Sequence, residues 1–169
     1  MKIVVFSDSH GKDALMRRIM LRHRDAYFFH LGDGAPSFLS LCRDMTLPGF
    51  AVRGNCDFFE GEFPLEPTQV VTLEGYRFFL THGHAYGVKG GFCGRLARAA
   101  REAGCQVALF GHTHLRLNRY LSGTEGEAPL YLFNPGSISQ PREGGPSYGV
   151  IEIVKGQLLL NLAEVYPER

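Results

Sequence analysis

The chain has 169 residues, 44% of them hydrophobic, so it is long enough to enclose the core of one domain and does not require a second domain. Its 18 Lys and Arg residues are balanced by 17 Asp and Glu residues and mixed with them, which excludes a basic face that binds nucleic acid in bulk. The apolar start, from Met1 to Phe6, is too short for a signal peptide or a membrane span, so we expect a cytoplasmic protein without membrane association.

The four cysteines form neither a CxxC pair nor the dense pattern of a secreted disulfide framework. They are Cys42, Cys56, Cys93 and Cys105. We therefore expect free thiols, as in a reducing compartment.

The first half of the chain predicts alternating strands and helices. Apolar runs rich in β-branched or aromatic residues predict buried strands over residues 3–7, 27–31 and 49–53. Between them, apolar residues at helical spacing predict one helix over residues 12–24 and another that begins near Pro36. Right-handed connections would make these three strands parallel.

The second half of the chain predicts a second sheet. A turn at Glu74-Gly75 separates two strands of an antiparallel hairpin, and an Ala- and Arg-rich helix precedes another buried strand. The predicted segments are the strands 69–73 and 76–81, the helix 95–103, and the strands 107–110, 115–121, 130–133, 148–154 and 158–165. This order predicts an α/β protein in which two mixed sheets flanked by helices form a four-layer α/β/β/α sandwich. We expect one domain over residues 1–169.

Polar side chains follow the predicted strands at the points where the strands end. These candidate metal ligands are Asp8, His10, Asp33, Asn55, His82, His112 and His114. Seven oxygen and nitrogen donors fit two divalent ions better than one, with Asp33 as the carboxylate that bridges them. A set without thiolate suits Mn, Fe, Zn or Ni at a reactive centre rather than a structural zinc site. We interpret His30, inside the second strand, as a core or sheet-face histidine.

Six motifs in this order closely resemble the calcineurin-like metallophosphoesterases, and more narrowly the small YfcE-type phosphodiesterases without a large cap domain. They are Asp8-x-His10, Gly32-Asp33, Gly54-Asn55-Cys56-Asp57, Thr81-His82-Gly83-His84, Gly111-His112-Thr113-His114 and Asn134-Pro135-Gly136-Ser137. The resemblance runs from Met1 to about Ile153. It implies that one metal is held by Asp8, His10, Asp33 and His114. It implies that the other is held by Asp33, Asn55, His82 and His112.

Cys56 departs from the pattern of the wider superfamily, in which a histidine at this position is thought to approach the leaving oxygen. A thiol is a poorer proton donor to an alkoxide, although the small YfcE-like members also tend to have cysteine there. His84 is a candidate replacement, two residues beyond a ligand on the same side of an extended segment. A hydrogen bond from His84 to another ligand or to the backbone is the alternative.

The resemblance predicts hydrolysis of a small phosphodiester by in-line attack of a hydroxide that bridges two divalent metals, with Mn preferred and Fe, Zn or Ni as alternatives. The candidate catalytic residues are Asp33, Asn55, Cys56 and His84. A phosphomonoesterase or nucleotidase would use the same site, and a catalytically weak scaffold resembling the retromer subunit of this fold is the third hypothesis. Asp57 and the segment from Asn134 to Ser137 are expected to brace the ligand loops.

The oligomeric state stays open between two alternatives. The apolar residues Phe58, Phe59 and Phe63 beside Pro64 are expected either to join two copies of the chain or to pack onto their own domain.

Overall fold

The structure is a computed structural model and describes residues 1–58 and 64–166. Over these residues the strands are β1 Lys2–Phe6, β2 Tyr27–His30, β3 Gly49–Ala51, β4 Thr68–Leu73, β5 Tyr76–Thr81, β6 Val107–Leu109, β7 Arg116–Leu121, β8 Leu130–Pro135, β9 Ser147–Val154 and β10 Gln157–Glu164. The helices are α1 Asp13–Arg22, α2 Ala35–Met45 and α3 Gly94–Glu102, with a short 3-10 turn over His84–Tyr86. The predicted elements are all present, and their ends differ from prediction by one or two residues.

The strands form two mixed five-stranded sheets. The first has the order β10-β9-β1-β2-β3, and the second has the order β4-β5-β6-β8-β7. In the first sheet β1, β2 and β3 are parallel, and in the second β5, β6 and β8 are parallel. The predicted hairpin is confirmed, since β4 and β5 pair antiparallel from Thr68 opposite Thr81 to Leu73 opposite Tyr76.

Side chains alternate between the two faces of each sheet. In β1, Ile3 and Val5 point to a core between the sheets, whereas Val4 and Phe6 pack against α1 and α2. In the second sheet Phe79 faces the apolar side of α3. The layers are therefore helices, sheet, sheet and helix, and the predicted α/β/β/α sandwich is confirmed.

Two further sequence expectations concern the surface. Phe58 is 89% exposed, while Phe59 and Phe63 lie outside the described residues. No helix within residues 1–58 and 64–166 has both the length and the apolar character needed to cross a membrane.

Candidate metal centre

The candidate ligands lie in the loops that follow the parallel strands of both sheets. Five of them adopt the left-handed backbone region that non-glycine residues seldom occupy, at a cost of roughly 1–2 kcal/mol each. These are Asp8 (φ 54°), His10 (φ 46°), Asp33 (φ 57°), His112 (φ 67°) and His114 (φ 58°). The surrounding hydrogen bonds must therefore hold these residues in place.

The backbone and carboxylate of Asp8 are held by residues of both sheets. Its carbonyl oxygen accepts hydrogen bonds from the hydroxyls of Ser137, at 2.8 Å, and Ser139, at 2.9 Å. Its Oδ2 accepts the Ser7 hydroxyl at 2.5 Å and the backbone N–H of His112 at 3.1 Å. These bonds fix the carboxylate so that Oδ1 faces the other candidate ligands.

Asp57 joins the loops that follow β2 and β3. Its Oδ2 accepts the backbone N–H groups of Asp33 and Gly54, both at 2.8 Å, and its Oδ1 accepts that of Gly34 at 2.7 Å. The predicted loop-fixing role of Asp57 is confirmed. Gly54 must be glycine here, because a Cβ on it would lie 2.1 Å from Asp33 Oδ1.

The segment from Asn134 to Ser137 braces the loops, as predicted. Asn134 Nδ2 donates to the carbonyl of Gly111 at 3.0 Å and to the hydroxyl of Thr113 at 3.1 Å. The hydroxyl of Ser137 is engaged with Asp8 and is buried, which fits bracing rather than nucleophilic attack. Asn134 and Pro135 are the last residues of β8, so the turn begins at Gly136.

Backbone carbonyls fix the hydrogen positions on two of the imidazoles. His82 Nδ1 lies 2.6 Å from the carbonyl oxygen of Leu31, and His114 Nδ1 lies 2.7 Å from that of Gln140. Because a carbonyl oxygen only accepts hydrogen bonds, both Nδ1 atoms carry hydrogen. In the neutral rings, the Nε2 lone pairs therefore point into the site, as metal ligation requires.

These lone pairs meet other electron-rich atoms. His82 Nε2 lies 3.1 Å from Asn55 Oδ1 and 3.3 Å from Asp33 Oδ2, and His114 Nε2 lies 3.1 Å from Asp8 Oδ1. Asp8 Oδ1 is buried and accepts no hydrogen bond from any described residue. Such a convergence of acceptors is stable only when a positive charge lies among them, so the donor set fits a metal cation.

Three overlapping groups of candidate ligand atoms meet the spacing for a metal, with all atoms of a group within 4.8 Å of one another over the described residues. The groups are Asp8, His10 and His114; Asp8, Asp33 and His82; and His10, Asp33 and Cys56. His112 belongs to none of them, and its ring centre lies 5.0 Å from that of His82. The structure thus brings six of the seven candidate ligands together. Asn55 joins them by its contact with His82, and His112, the seventh, lies beside them.

The charges of the site are set by burial and by these contacts. Burial opposes ionisation of Asp33, but hydrogen bonds from His82 and Cys56 hold its pKa well below the usual range. Burial lowers the pKa of His82, but the hydrogen bond and charge of Asp33 and the charge of Asp8 outweigh it and raise that pKa. When His114 is protonated, its Nε2 can donate to Asp8 Oδ1, and this interaction raises the pKa of His114. The raised pKa values mean that the surroundings of both rings favour positive charge. A bound metal cation would supply positive charge at the same place.

His112 has the opposite environment. Burial, followed by the neighbouring His82, lowers the pKa of His112 to about 4. The ring is therefore neutral near pH 7 and keeps a lone pair free for a metal.

The two candidates for proton donation lie at the exposed rim. The ring centre of His84 lies 5.5 Å from that of His82 and 6.1 Å from that of His112. Burial and the charge of His82 lower the pKa of His84. Burial and the Asp33 carboxylate raise the pKa of Cys56 to about 11, so its thiol keeps its proton near pH 7.

His30 connects two ligand loops, a role that its sequence position did not indicate. It is fully buried; its Nδ1 accepts the backbone N–H of Gly32 at 3.2 Å, and its Nε2 lies 3.1 Å from the Ser9 hydroxyl. Since Nδ1 accepts, Nε2 carries the hydrogen and donates to Ser9. The sequence places His30 two residues before Gly32-Asp33, but its partner Ser9 is distant in sequence, so the link between the loops could not be predicted.

Known proteins resemble this chain over most of its length. It is 34% identical over 144 residues to a probable metallophosphoesterase, YsnB, of Bacillus subtilis, covering 84% of this chain and 78% of that protein. It is 39% identical over 108 residues to the phosphodiesterase YfcE of Escherichia coli, covering 60% of this chain and 51% of YfcE. The chain thus matches about half the length of YfcE.

Solved structures share the fold. A conserved protein of Streptococcus pneumoniae, described as a predicted phosphoesterase, matches with a TM-score of 0.79 and 27% identity over 98% of this chain and 92% of that one. Zinc-bound Vps29 of Entamoeba histolytica matches with a TM-score of 0.71 and 20% identity over 96% of this chain and 98% of that one. The calcineurin-like phosphoesterase superfamily domain matches residues 1–156. The chain therefore belongs to the calcineurin-like phosphoesterase superfamily.

Proposed function

We propose that this protein is a metal-dependent phosphodiesterase that hydrolyses a small substrate. The observation that carries the proposal is the convergence of Asp8 Oδ1, Asp33 Oδ2 and the Nε2 atoms of His82 and His114, which carry lone pairs when the two rings are neutral. Family membership supports a metal-dependent hydrolase, and the likeness to YfcE supports diester substrates.

Two divalent ions would be held by residues that share Asp33. We propose Asp8, His10, Asp33 and His114 for one ion, and Asp33, Asn55, His82 and His112 for the other. Asp33 suits the shared position because its Oδ1 and Oδ2 face different neighbours, the backbone of Cys56 and the ring of His82. When bound, such ions lower the pKa of water toward neutrality and offset the negative charge of phosphoryl oxygens. Mn²⁺ is our first choice for this nitrogen and oxygen set, with Fe, Zn or Ni as alternatives.

The protein itself sets the protonation of two donors and the position of one ring hydrogen on two others. Asp33 stays ionised near pH 7 because its pKa is held low, and His112 stays neutral because its pKa is lowered to about 4. The carbonyls of Leu31 and Gln140 keep the hydrogens of His82 and His114 on Nδ1. The site is therefore organised before any substrate arrives.

The departing alcohol needs a proton, and we propose His84 as the donor. It lies at the exposed rim beside His82 and His112, where the substituents of a diester would extend into solvent. The Cys56 thiol lies at the same rim, but with a pKa of about 11 it is a much weaker acid than an imidazolium. Asn55, Cys56 and His84 are all exposed at this rim.

The test combines elemental analysis with hydrolysis of bis-aryl and mono-aryl phosphates after chelation and after return of Mn²⁺. About two transition metals per chain, and a restored diesterase rate above the monoesterase rate, would support the proposal. A restored monoesterase rate above the diesterase rate would favour the phosphomonoesterase or nucleotidase.

A scaffold is the second candidate, favoured by the shared fold of Vps29, whose name refers to vacuolar protein sorting. At 20% identity this likeness shows the fold alone. A chain that binds no metal and has no turnover would support the scaffold.

A further inference from the structure

A sulfur atom lies beside the nitrogen and oxygen donors of the proposed centre. Cys56 Sγ, a ring nitrogen of His10 and a carboxylate oxygen of Asp33 all lie within 4.8 Å of one another. Donor atoms about 2.0–2.3 Å from one tetrahedral zinc ion are separated by about 3.3–3.8 Å, so atoms that lie within 4.8 Å of one another need to approach by about 1 Å. The other three cysteines are buried, whereas Cys56 is exposed.

Cys56 is held at this position from two directions. Its backbone N–H donates to Asp33 Oδ1 at 2.7 Å, which ties the residue to one member of the group. Asn55 Nδ2 donates to Cys56 Sγ at 3.3 Å, while Asn55 Oδ1 lies 3.1 Å from His82 Nε2. The same amide therefore orients the sulfur and one candidate metal ligand.

We infer that Cys56 gives the centre a second way to bind metal, in which a thiophilic ion such as Zn²⁺ or Cd²⁺ is held by His10, Asp33 and Cys56 Sγ. This inference depends on the proposed metal centre. Thiolate favours soft ions, whereas Mn²⁺ favours oxygen and imidazole and does not use the sulfur. Binding replaces the S–H bond by a metal–sulfur bond, and the proton leaves to solvent.

The two binding modes compete because they share ligands. His10 and Asp33 each belong both to the group that contains Cys56 and to a group that does not. An ion bound through sulfur therefore takes donors from the hydrolytic arrangement. The expected consequence is a site that binds thiophilic ions tightly in a mode distinct from that of Mn²⁺.

The experiment titrates metal-free protein with Cd²⁺ alone and measures the ultraviolet sulfur-to-cadmium charge-transfer absorption. The variant is Cys56→Ser, which keeps a small polar side chain without the sulfur. The control is Cys105→Ser, since Cys105 precedes β6 at the opposite end of that strand from His112, and its thiol contact with the Ala103 carbonyl suits a hydroxyl. Thermal denaturation of each variant checks folding.

The wild-type and Cys105→Ser proteins should show the charge-transfer band, and Cys56→Ser should lose it and bind Cd²⁺ about tenfold more weakly or worse. Mn²⁺ affinity should change far less in Cys56→Ser. Cd²⁺ binding without the band, or a band that persists in Cys56→Ser, would overturn the inference and leave the proposed function in place. Failure of wild-type protein to bind either Mn²⁺ or Cd²⁺ would overturn both.

Discussion

The two sheets contribute different chemistry to the same site. Loops of the first sheet provide the oxygen donors Asp8, Asp33 and Asn55, together with His10, whereas loops of the second provide only imidazoles, His82, His112 and His114. Neither sheet alone holds a complete set for one ion in the proposed arrangement. Metal affinity should therefore depend on how the two sheets pack as well as on the ligands themselves.

The core between the sheets sets their separation. Phe29 of the first sheet and Phe78 of the second are both fully buried, and their ring centres lie 5.8 Å apart in an edge-to-face contact. Because interiors are closely packed, a void here lets the sheets and their loops shift. The positions of the ligand loops therefore depend on close packing in the apolar layer between the sheets.

Removing one donor from either sheet should have the largest effect. Asp33→Ala and His82→Ala should each lower diesterase turnover at least about a thousandfold, or about 4 kcal/mol of transition-state stabilisation, because each removes a donor to the charge that opposes phosphate. Steady-state rates with excess Mn²⁺ measure this. Asp44→Ala, an exposed carboxylate of α2 with 61% of its side chain accessible, is the matched control. Unchanged turnover in Asp33→Ala would contradict the proposed site.

Two adjacent phenylalanines lie on opposite faces of β2. Replacing each in turn distinguishes an effect on stability from an effect on the geometry of the site. Phe29→Ala and Phe28→Ala should each lower the free energy of unfolding by about 3–5 kcal/mol, since both side chains are fully buried. Only Phe29 lies between the sheets, whereas Phe28 packs toward the helices α1 and α2. Chemical denaturation and Mn²⁺ titration should show weaker metal binding in Phe29→Ala than in Phe28→Ala. Equal metal affinities would mean that sheet packing does not control the site.

His84 follows β5 of the second sheet, and the effect of replacing it on the rate of hydrolysis should depend on the leaving group. His84→Ala should slow hydrolysis of a dialkyl phosphodiester, from which an alcohol must leave, about a hundredfold, but should affect a nitrophenyl diester much less, because nitrophenolate leaves without a proton. Rates across a series of leaving groups measure this. Cys56→Ser tested with the same series distinguishes the two rim residues. A uniform loss across the series in His84→Ala would point to a role in binding instead.

His30 in the first sheet should have the smallest effect near neutral pH, and its effect on stability should grow in acid. Burial lowers the pKa of His30 to about 4, so between that pH and 6.5 the unfolded chain binds more protons than the folded chain. Stability should therefore fall as the pH drops from 6.5 to 4, with His30 contributing up to about 1.4 kcal/mol per pH unit. His30→Gln should show a shallower slope in urea denaturation at several pH values. Parallel slopes would exclude this contribution.

The sequence determined the fold class and the candidate ligands, because both depend on local patterns. The continuous apolar run of β1 and the helical spacing in α1 each arise from neighbouring residues, as does the placement of Asp8 and His10 directly after a strand. Cys56 was predicted as a change from a family pattern and a candidate catalytic residue, and His30 as a core or sheet-face histidine. Nothing local to either residue indicates its neighbours.

Only the tertiary structure decided which atoms meet. His10 Nε2 and His114 Nε2 lie 3.4 Å apart although 104 positions separate them, and the Leu31 carbonyl that fixes the hydrogen of His82 directly follows β2 of the other sheet. The orphaned oxygen of Asp8, the link from His30 to Ser9 and the nearness of Cys56 to His10 likewise depend on side-chain directions in separate loops. Packing of the two sheets sets these directions, and the sequence pattern of either sheet does not contain them.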